Sequence, residues 1–164
     1  SIWNPPGNGK EEGFTHISVE QGLSFPWIWH VYEDQSGRIW IATNGGGITV
    51  WEDSTFIQYT TQEDFEGQRA NSILEDEFSN VWIGTNKGIF IWDEEGFTQY
   101  TMAHGLSHNV VPEIIQDSNG DIWLGSFRGL DRLTWANDHQ SLRVEHFGSA
   151  DGLSLIHISE PTRR

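Results

Sequence analysis

A tryptophan recurs at nearly constant intervals along this chain of 164 residues. Trp40, Trp82 and Trp123 are 42 and 41 residues apart, and an aspartate precedes each of them by six positions. A phenylalanine recurs with the same two spacings. The recurring aspartates and phenylalanines are Asp34, Asp76, Asp117, Phe14, Phe56 and Phe97. Independent landmarks that share one period indicate an internal repeat of about 41 residues.

Each repeat is predicted to contain four short β-strands. In the first repeat we place them at 14–18, 28–33, 38–43 and 48–51, with a hairpin turn between the second and the third. The third strand is apolar on both alternating faces, so we expect a neighbouring sheet on each side of it. A small residue stands two positions after each repeated tryptophan, which fits a close approach by a neighbouring large ring. These small residues are Ala42, Gly84 and Gly125.

Four strands at this period are typical of one blade of a β-propeller. The predicted fold is all-β: a partial β-propeller with three full four-stranded blades and parts of two flanking blades. The predicted segments are the end of a preceding blade (1–13), three blades (14–55, 56–96 and 97–146) and the start of a further blade (147–154). Residues 155–164 resemble a translated sequencing adapter, and we predict that they are not native sequence.

The charge of the chain excludes several partners. A formal net charge of −15 with nine scattered Lys and Arg residues argues against nucleic acid and against an anionic membrane surface. The absence of cysteine removes disulfides and thiolate chemistry. Three blades leave unpaired strand edges and two uncovered sheet faces, so we expect the isolated chain to aggregate.

No residue pattern predicts catalysis, a metal site or a cofactor. His104 and His108 are four apart, but they lie in a loop where this spacing does not place them on one face. Asp117 and Asn119 begin like a calcium loop, yet Arg128 stands where the last carboxylate ligand would be needed. We interpret these aspartates as turn residues and the six residues of the Asp–Trp pairs as a structural blade motif.

The predicted topology brings two sets of loops to one face. If the second strand of each repeat lines the central channel, the loops before it share a face with those between the third and fourth strands. Aromatic rings beside amide and guanidinium groups suit a neutral sugar. The alternative is that the aromatic residues cover blade edges and the polar ones cap turns. The candidate ligand-binding residues are Trp27, Asn44, Arg69, Asn71, His108, Asn109, Phe127 and Arg128.

The third repeat resembles a known sequence family. The run Gly-Leu-Ser-His-Asn-Val at 105–110, followed by Asp-Ser-Asn-Gly-Asp-Ile-Trp-Leu-Gly at 117–125 and by Gly129-Leu130, is similar to the two-component regulator propeller repeat. The resemblance implies a periplasmic, extracytoplasmic sensor in an inner-membrane protein that also carries a histidine kinase. It further implies an oligosaccharide ligand bound between propellers or at a homodimer interface, beside the remaining blades. The loop element diverges in the first two repeats, at 22–27 and 64–69.

Two other functions remain open from the sequence. The chain could be a scaffold propeller that docks another protein through an acidic face. A propeller lyase is the third hypothesis, and it requires histidines or carboxylates that converge on the channel from several blades. Saturable binding of a small glycan separates the sensor from the scaffold, and turnover by the chain supports the lyase.

Overall fold

The computed structural model describes the backbone of residues 2–4, 13–59, 69–135 and 142–148, and the side chains from residue 16 onward within these ranges. A two-stranded pair, β1 (Ile2–Asn4) and β2 (Gly13–Thr15), comes first, and twelve further strands form three four-stranded antiparallel sheets. Two 3-10 turns, η1 (Val19–Gln21) and η2 (Met102–His104), are the helical segments of this described part. The all-β prediction is confirmed, and the predicted tail at 155–164 lies outside the described residues.

Strands pair with their sequence neighbours within each sheet. The first sheet contains β3 (Ile28–Glu33), β4 (Ile39–Thr43), β5 (Ile48–Glu52) and β6 (Thr55–Tyr59). The second contains β7 (Ala70–Glu75), β8 (Val81–Thr85), β9 (Gly88–Asp93) and β10 (Gly96–Tyr100). The third contains β11 (Glu113–Gln116), β12 (Ile122–Ser126), β13 (Gly129–Trp135) and β14 (Leu142–Phe147).

The sheets are offset by one strand from the sequence repeats. The strand around Phe56, which opens the second repeat, pairs as β6 with β5, and Phe56 lies opposite Trp51. Only Asp53 and Ser54 separate these two strands, so they form a tight hairpin, whereas about ten residues separate β6 from β7. The segments 14–55, 56–96 and 97–146 therefore describe the sequence period, and each hydrogen-bonded sheet begins and ends about one strand later.

Two apolar clusters fill the spaces between the sheets. Trp40 and Ala42 belong to the first cluster together with Ile73 and Ile83 of the second sheet. Trp82 begins the second cluster, which also contains residues of the third sheet. The central strand β8 is buried along its whole length, because it has a sheet on each side. This agrees with the two apolar faces predicted for that strand.

At Gly84, the small residue that follows Trp82 by two positions has a different cause from the one predicted. A Cβ at Gly84 would lie 2.5 Å from Ser72 Oγ and 2.7 Å from the carbonyl oxygen of Val111. A hydroxyl and a backbone carbonyl of the next loop thus occupy the space, and no large ring does. The expectation of a ring at this position was wrong for Gly84.

The antiparallel order gives the sheets two distinct ends. One end, which we call the loop face, carries the loops before the first strand of each sheet and the turns between its second and third strands. The opposite end, which we call the turn end, carries the Asp turns between the first and second strands. The first strands β3, β7 and β11 approach one another across neighbouring sheets. They therefore form the inner edges of the stack.

Candidate functional site

The turn end repeats one hydrogen-bonded unit three times. The indole Nε1 of Trp40 donates to Asp34 Oδ2 at 2.7 Å, and the other carboxylate oxygen accepts from the backbone N–H groups of Ser36 and Arg38. Asp76 and Asp117 hold the same positions in the other two sheets. The indole Nε1 atoms of Trp82 and Trp123 donate to these carboxylates at 2.8 Å each. Both carboxylate oxygens of each aspartate therefore accept at least one hydrogen bond.

Hydrogen bonding lowers the pKa of two of these aspartates. Burial by itself raises the pKa of Asp34, but the hydrogen bonds from Trp40 and Arg38 outweigh it and hold that pKa below its ordinary value of 3.8. For Asp117 the hydrogen bond from Trp123 is the largest cause of a lowered pKa, followed by the backbone N–H of Asn119. Both carboxyl groups are therefore ionised near neutral pH, and in this state they can only accept hydrogen bonds.

The calcium-like run of the third repeat forms the same kind of turn. Asp117 Oδ1 accepts from the backbone N–H groups of Asn119 and Asp121 at 2.8 and 3.1 Å. His104 Nδ1 accepts from the backbone N–H of Thr101, and His108 Nδ1 accepts from that of Val110. Across the described ranges, no group of three or more His, Asp or Glu side chains could hold a metal ion.

The loop face carries the predicted ligand-binding residues, and backbone contacts join several of them. The backbone N–H of Asn44 donates to the carbonyl of Trp27 at 2.9 Å. Asn44 also forms an isolated antiparallel β-bridge with Arg69, the residue directly before β7. Asn86 in turn exchanges hydrogen bonds with the backbone of Arg69. The structure therefore brings Trp27, Asn44 and Arg69 together at the joint between the first two sheets.

The polar groups of Asn71 and Asn109 stabilise the next joint. The side-chain amide of Asn71 donates to the carbonyl of Val111 at 3.3 Å, and Asn109 Oδ1 accepts from the backbone N–H of Met102 at 2.8 Å. The backbone carbonyl of Asn109 accepts from Gly88 N. These two asparagines therefore hold loops in place.

Aromatic rings project from the loop face. Trp27 is 66% exposed and packs edge-on against Phe25, and Phe127 is 77% exposed and packs edge-on against His108. Arg128, the eighth predicted residue, is exposed beside Phe127. These two exposed rings at the same end of two sheets make the loop face a candidate binding surface.

One exposed tryptophan was missed by the sequence analysis. Trp29 lies at an irregularity in the β3–β4 pairing and is 62% exposed. Asn71 occupies the corresponding place in β7, where the same irregularity recurs. Asn71 bonds a backbone carbonyl of the next loop, whereas Trp29 projects into solvent from the corresponding position. This difference between two repeats is the sequence signal that could have identified Trp29.

A second concave site lies between the second and third sheets, toward the turn end. We call it the inter-sheet cleft, and its volume is about 440 Å³. It is lined by Phe78, Asn80, Ile91, Asp93, Thr98, Tyr100 and Trp135. The sequence analysis did not predict it, because its residues come from one turn and two strands of the second sheet and from Trp135 of the third sheet, which only the fold brings together.

One family model matches this chain, at three places. The sequence profile described as "Two component regulator propeller" matches residues 22–45, 64–87 and 105–128. No curated protein matches the chain. Among the described residues, no helix is long and apolar enough to cross a bilayer.

Solved structures share the arrangement of sheets. The extracellular domain of a B. thetaiotaomicron protein described as a hybrid two component system is 18% identical over 88% of this chain, with a TM-score of 0.72. A second such domain from B. thetaiotaomicron, described as a one component system, is 28% identical over 74% of the chain, with a TM-score of 0.61. The chain spans 20% and 18% of the lengths of these two domains.

An enzyme has a similar architecture. Virginiamycin B lyase from Staphylococcus aureus is 19% identical over 74% of this chain and 41% of its own, with a TM-score of 0.58. At this identity the likeness shows the fold alone. Together the three similar structures support the partial propeller predicted from the repeat.

Proposed function

Since this chain belongs to the two component regulator propeller family, we propose that it is part of an extracytoplasmic domain that senses a ligand on behalf of a two-component regulator. Similar structures are extracellular domains of such systems, which supports a location outside the cytoplasm. Signal transmission to a kinase, assembly with further blades and homodimer formation belong to this proposal. The family and these neighbours favour a non-catalytic domain.

The loop face is the recognition surface in this proposal, and a neutral oligosaccharide is its ligand. The observation that carries it is the exposure of Trp27 and Phe127 at the same end of two different sheets. An indole or phenyl face packs against the apolar face of a sugar ring, and the fixed polar groups around it bind hydroxyls. Trp29 extends the aromatic surface toward the inner edge of the first sheet.

A glycan-binding experiment tests this function. The intact protein that carries these three sheets is titrated with a panel of neutral oligosaccharides by calorimetry, and we expect saturable binding of at least one member. Trp27→Ala and Phe127→Ala should each weaken that binding roughly tenfold, because each removes a stacking contact of about 1–2 kcal/mol. Ile57→Ala, on the outer strand β6, is the control and should leave the affinity unchanged.

Two outcomes would contradict the proposal. If no glycan binds and another protein binds through the acidic surface instead, the chain is a docking scaffold. If the protein converts a ligand covalently, it is a lyase-like propeller. Mass spectrometry of the ligand recovered after incubation separates binding from turnover.

A further inference from the structure

The third sheet contains a buried carboxylate that holds a loop and an imidazole at the same time. Asp131 is 1% exposed, and its Oδ2 atom accepts from the backbone N–H and from the hydroxyl of Ser107, at 2.9 Å each. Its Oδ1 atom lies 3.0 Å from Nδ1 of His146, the residue opposite it in the outer strand β14. Asp131 therefore fixes the loop before the third sheet and the orientation of the His146 ring.

The first sheet makes the same loop contact with neutral side chains. Thr49 occupies the position of Asp131, and its hydroxyl accepts from the backbone N–H of Ser24 at 3.0 Å. Gln58 occupies the position of His146, and its amide donates to a loop carbonyl at 2.9 Å. Attachment of the loop thus requires neither a carboxylate nor an imidazole. Because burial of a carboxylate is costly, its presence in the third sheet indicates a role beyond attachment.

Hydrogen bonds assign opposite tautomers to two histidines of the third sheet. The Asp131 carboxylate accepts from the Nδ1–H of His146, so Nε2 of that ring carries an unshared electron pair. Nδ1 of His108 accepts from the backbone N–H of Val110 at 2.9 Å, so the proton of the neutral ring is on Nε2. Neither Nε2 atom makes a hydrogen bond within the described ranges. One imidazole thus presents an acceptor and the other a donor.

The two imidazoles flank the loop-face turn that carries Phe127. The rings of His108 and Phe127 pack edge-on, with their centroids 5.9 Å apart. A Cβ at Gly148 would lie 3.2 Å from His146 Nε2 and 3.8 Å from the carbonyl oxygen of Arg128, which places His146 beside the same turn. An exposed aromatic ring, a hydrogen-bond donor and a hydrogen-bond acceptor therefore lie together at the loop-face end of the third sheet.

We propose that these groups form a sugar subsite of the loop face, specific for a sugar residue with two neighbouring hydroxyl groups. The apolar face of the sugar packs on the Phe127 ring. One hydroxyl accepts from the Nε2–H of His108, and its neighbour donates to Nε2 of His146. Asp131 is a positioning residue, because it holds the His146 ring in the tautomer that can accept. The subsite rests on the proposed function and names the part of the loop face that recognises hydroxyl groups.

NMR and calorimetry on the intact protein test the subsite. Nitrogen–proton correlation spectra of the histidine rings, assigned with single-histidine variants, should show the proton on Nδ1 of His146 and on Nε2 of His108. The panel of neutral oligosaccharides, with maltotriose, xylotriose and mannotriose among its members, is then added. We expect a member that binds saturably to shift the ring resonances of both histidines. Its per-O-methylated form cannot donate a hydrogen bond and should bind roughly tenfold more weakly.

The other repeats supply matched variants. His146→Gln introduces the residue that the first and second sheets have at this position, and it should weaken oligosaccharide binding about three- to tenfold through loss of one hydrogen bond. Asp131→Thr introduces the residue of the first sheet. It should weaken binding to a similar extent and replace the single tautomer of His146 with a mixture. His104→Gln is the control and should leave the affinity unchanged, because Gln21 fills the corresponding cap of η1.

Three results would overturn the subsite while leaving the proposed function intact. The first is saturable oligosaccharide binding that shifts neither ring resonance. The second is unchanged affinity in a folded His146→Gln variant. The third is the same tautomer in His108 and His146. If no oligosaccharide binds while the protein remains folded, the proposed function and the subsite both fail.

Discussion

Each repeated tryptophan is a large apolar residue with one polar atom. Burial of Trp40 and Trp82 removes the indole N–H from water, and without an acceptor this would cost about 1–3 kcal/mol per residue. The aspartate six positions earlier supplies that acceptor and at the same time closes the turn through backbone N–H groups. One carboxylate thus links the turn at the end of the sheet to the core between sheets.

Ser79 stands where the other two turns have glycine. Its φ is 64°, whereas Gly37 and Gly120 have φ of 82° and 86°. We expect Ser79→Gly to stabilise the protein by roughly 0.5–1 kcal/mol, because relief of the left-handed strain exceeds the added entropy of the unfolded chain. The reverse change, Gly37→Ser, meets no atom within 4 Å and should cost about 1 kcal/mol through the backbone alone. Thermal unfolding of both variants measures this, and equal melting temperatures would contradict it.

Gly84 and Gly125 occupy the same repeat position in different surroundings. Gly84→Ala should destabilise the protein by about 1–3 kcal/mol, because the new Cβ collides with Ser72 Oγ and the Val111 carbonyl. Gly125→Ala should change stability by less than about 0.5 kcal/mol, since its Cβ would lie 3.6 Å from Glu113 Cβ, an ordinary contact. Denaturant unfolding of both variants tests the pair, and a similar loss in each would argue against this steric cause.

At the scale of the turn and its two strands, stability depends on pH through Asp34. Its folded pKa lies below the ordinary value of 3.8, so the stabilisation is fully present above that value and is lost as pH falls through the folded pKa. Asp34→Asn should cost roughly 1–3 kcal/mol at pH 7 and reduce the dependence of unfolding free energy on pH below about pH 5. Glu94→Gln, on an exposed turn, is the control. An unchanged pH slope in Asp34→Asn would contradict this account.

The strands themselves could be predicted from the sequence, but the sheet to which each belongs could not. Alternation and turn residues placed β3 at its observed bounds and β4 and β5 within one residue. A sequence repeat does not show at which strand a sheet begins. The strand around Phe56 was therefore assigned to the same blade as the residues that follow it. The two-residue turn at Asp53 and Ser54 indicates that β6 pairs with β5, because so short a connection joins neighbouring antiparallel strands.

At the scale of the whole molecule, the face of the first sheet that points away from the second sheet exposes apolar side chains among the described residues. Val31 is 56% exposed on this face, and a second cavity of about 350 Å³ is lined by Ile39, Ile41 and other apolar residues. We expect the 164-residue chain to self-associate in solution through this face. Val31→Lys should shift the mass measured by light scattering toward the monomer, whereas Met102→Lys, at an exposed loop position, should not. A monodisperse monomer before substitution would contradict the prediction.

The two candidate sites differ in how far the sequence could reveal them. Topology alone placed Trp27 and Phe127 on a common face, because strand direction fixes the end at which each loop lies. The inter-sheet cleft combines residues of the second sheet with Trp135 of the third sheet. The packing of Trp135 against the second sheet follows from tertiary contacts, for which the sequence repeat contains no signal.

Because the loop face and the turn end lie at opposite ends of the sheets, their residues can diverge independently during evolution. The hydrogen bonds that close the Asp turns involve no residue of the loop face. Insertions and substitutions in the connections between sheets therefore leave the indole–carboxylate units untouched. A lineage can therefore alter the exposed side chains of the loop face while the turn end stays closed, as long as the asparagines that hold the loops are kept.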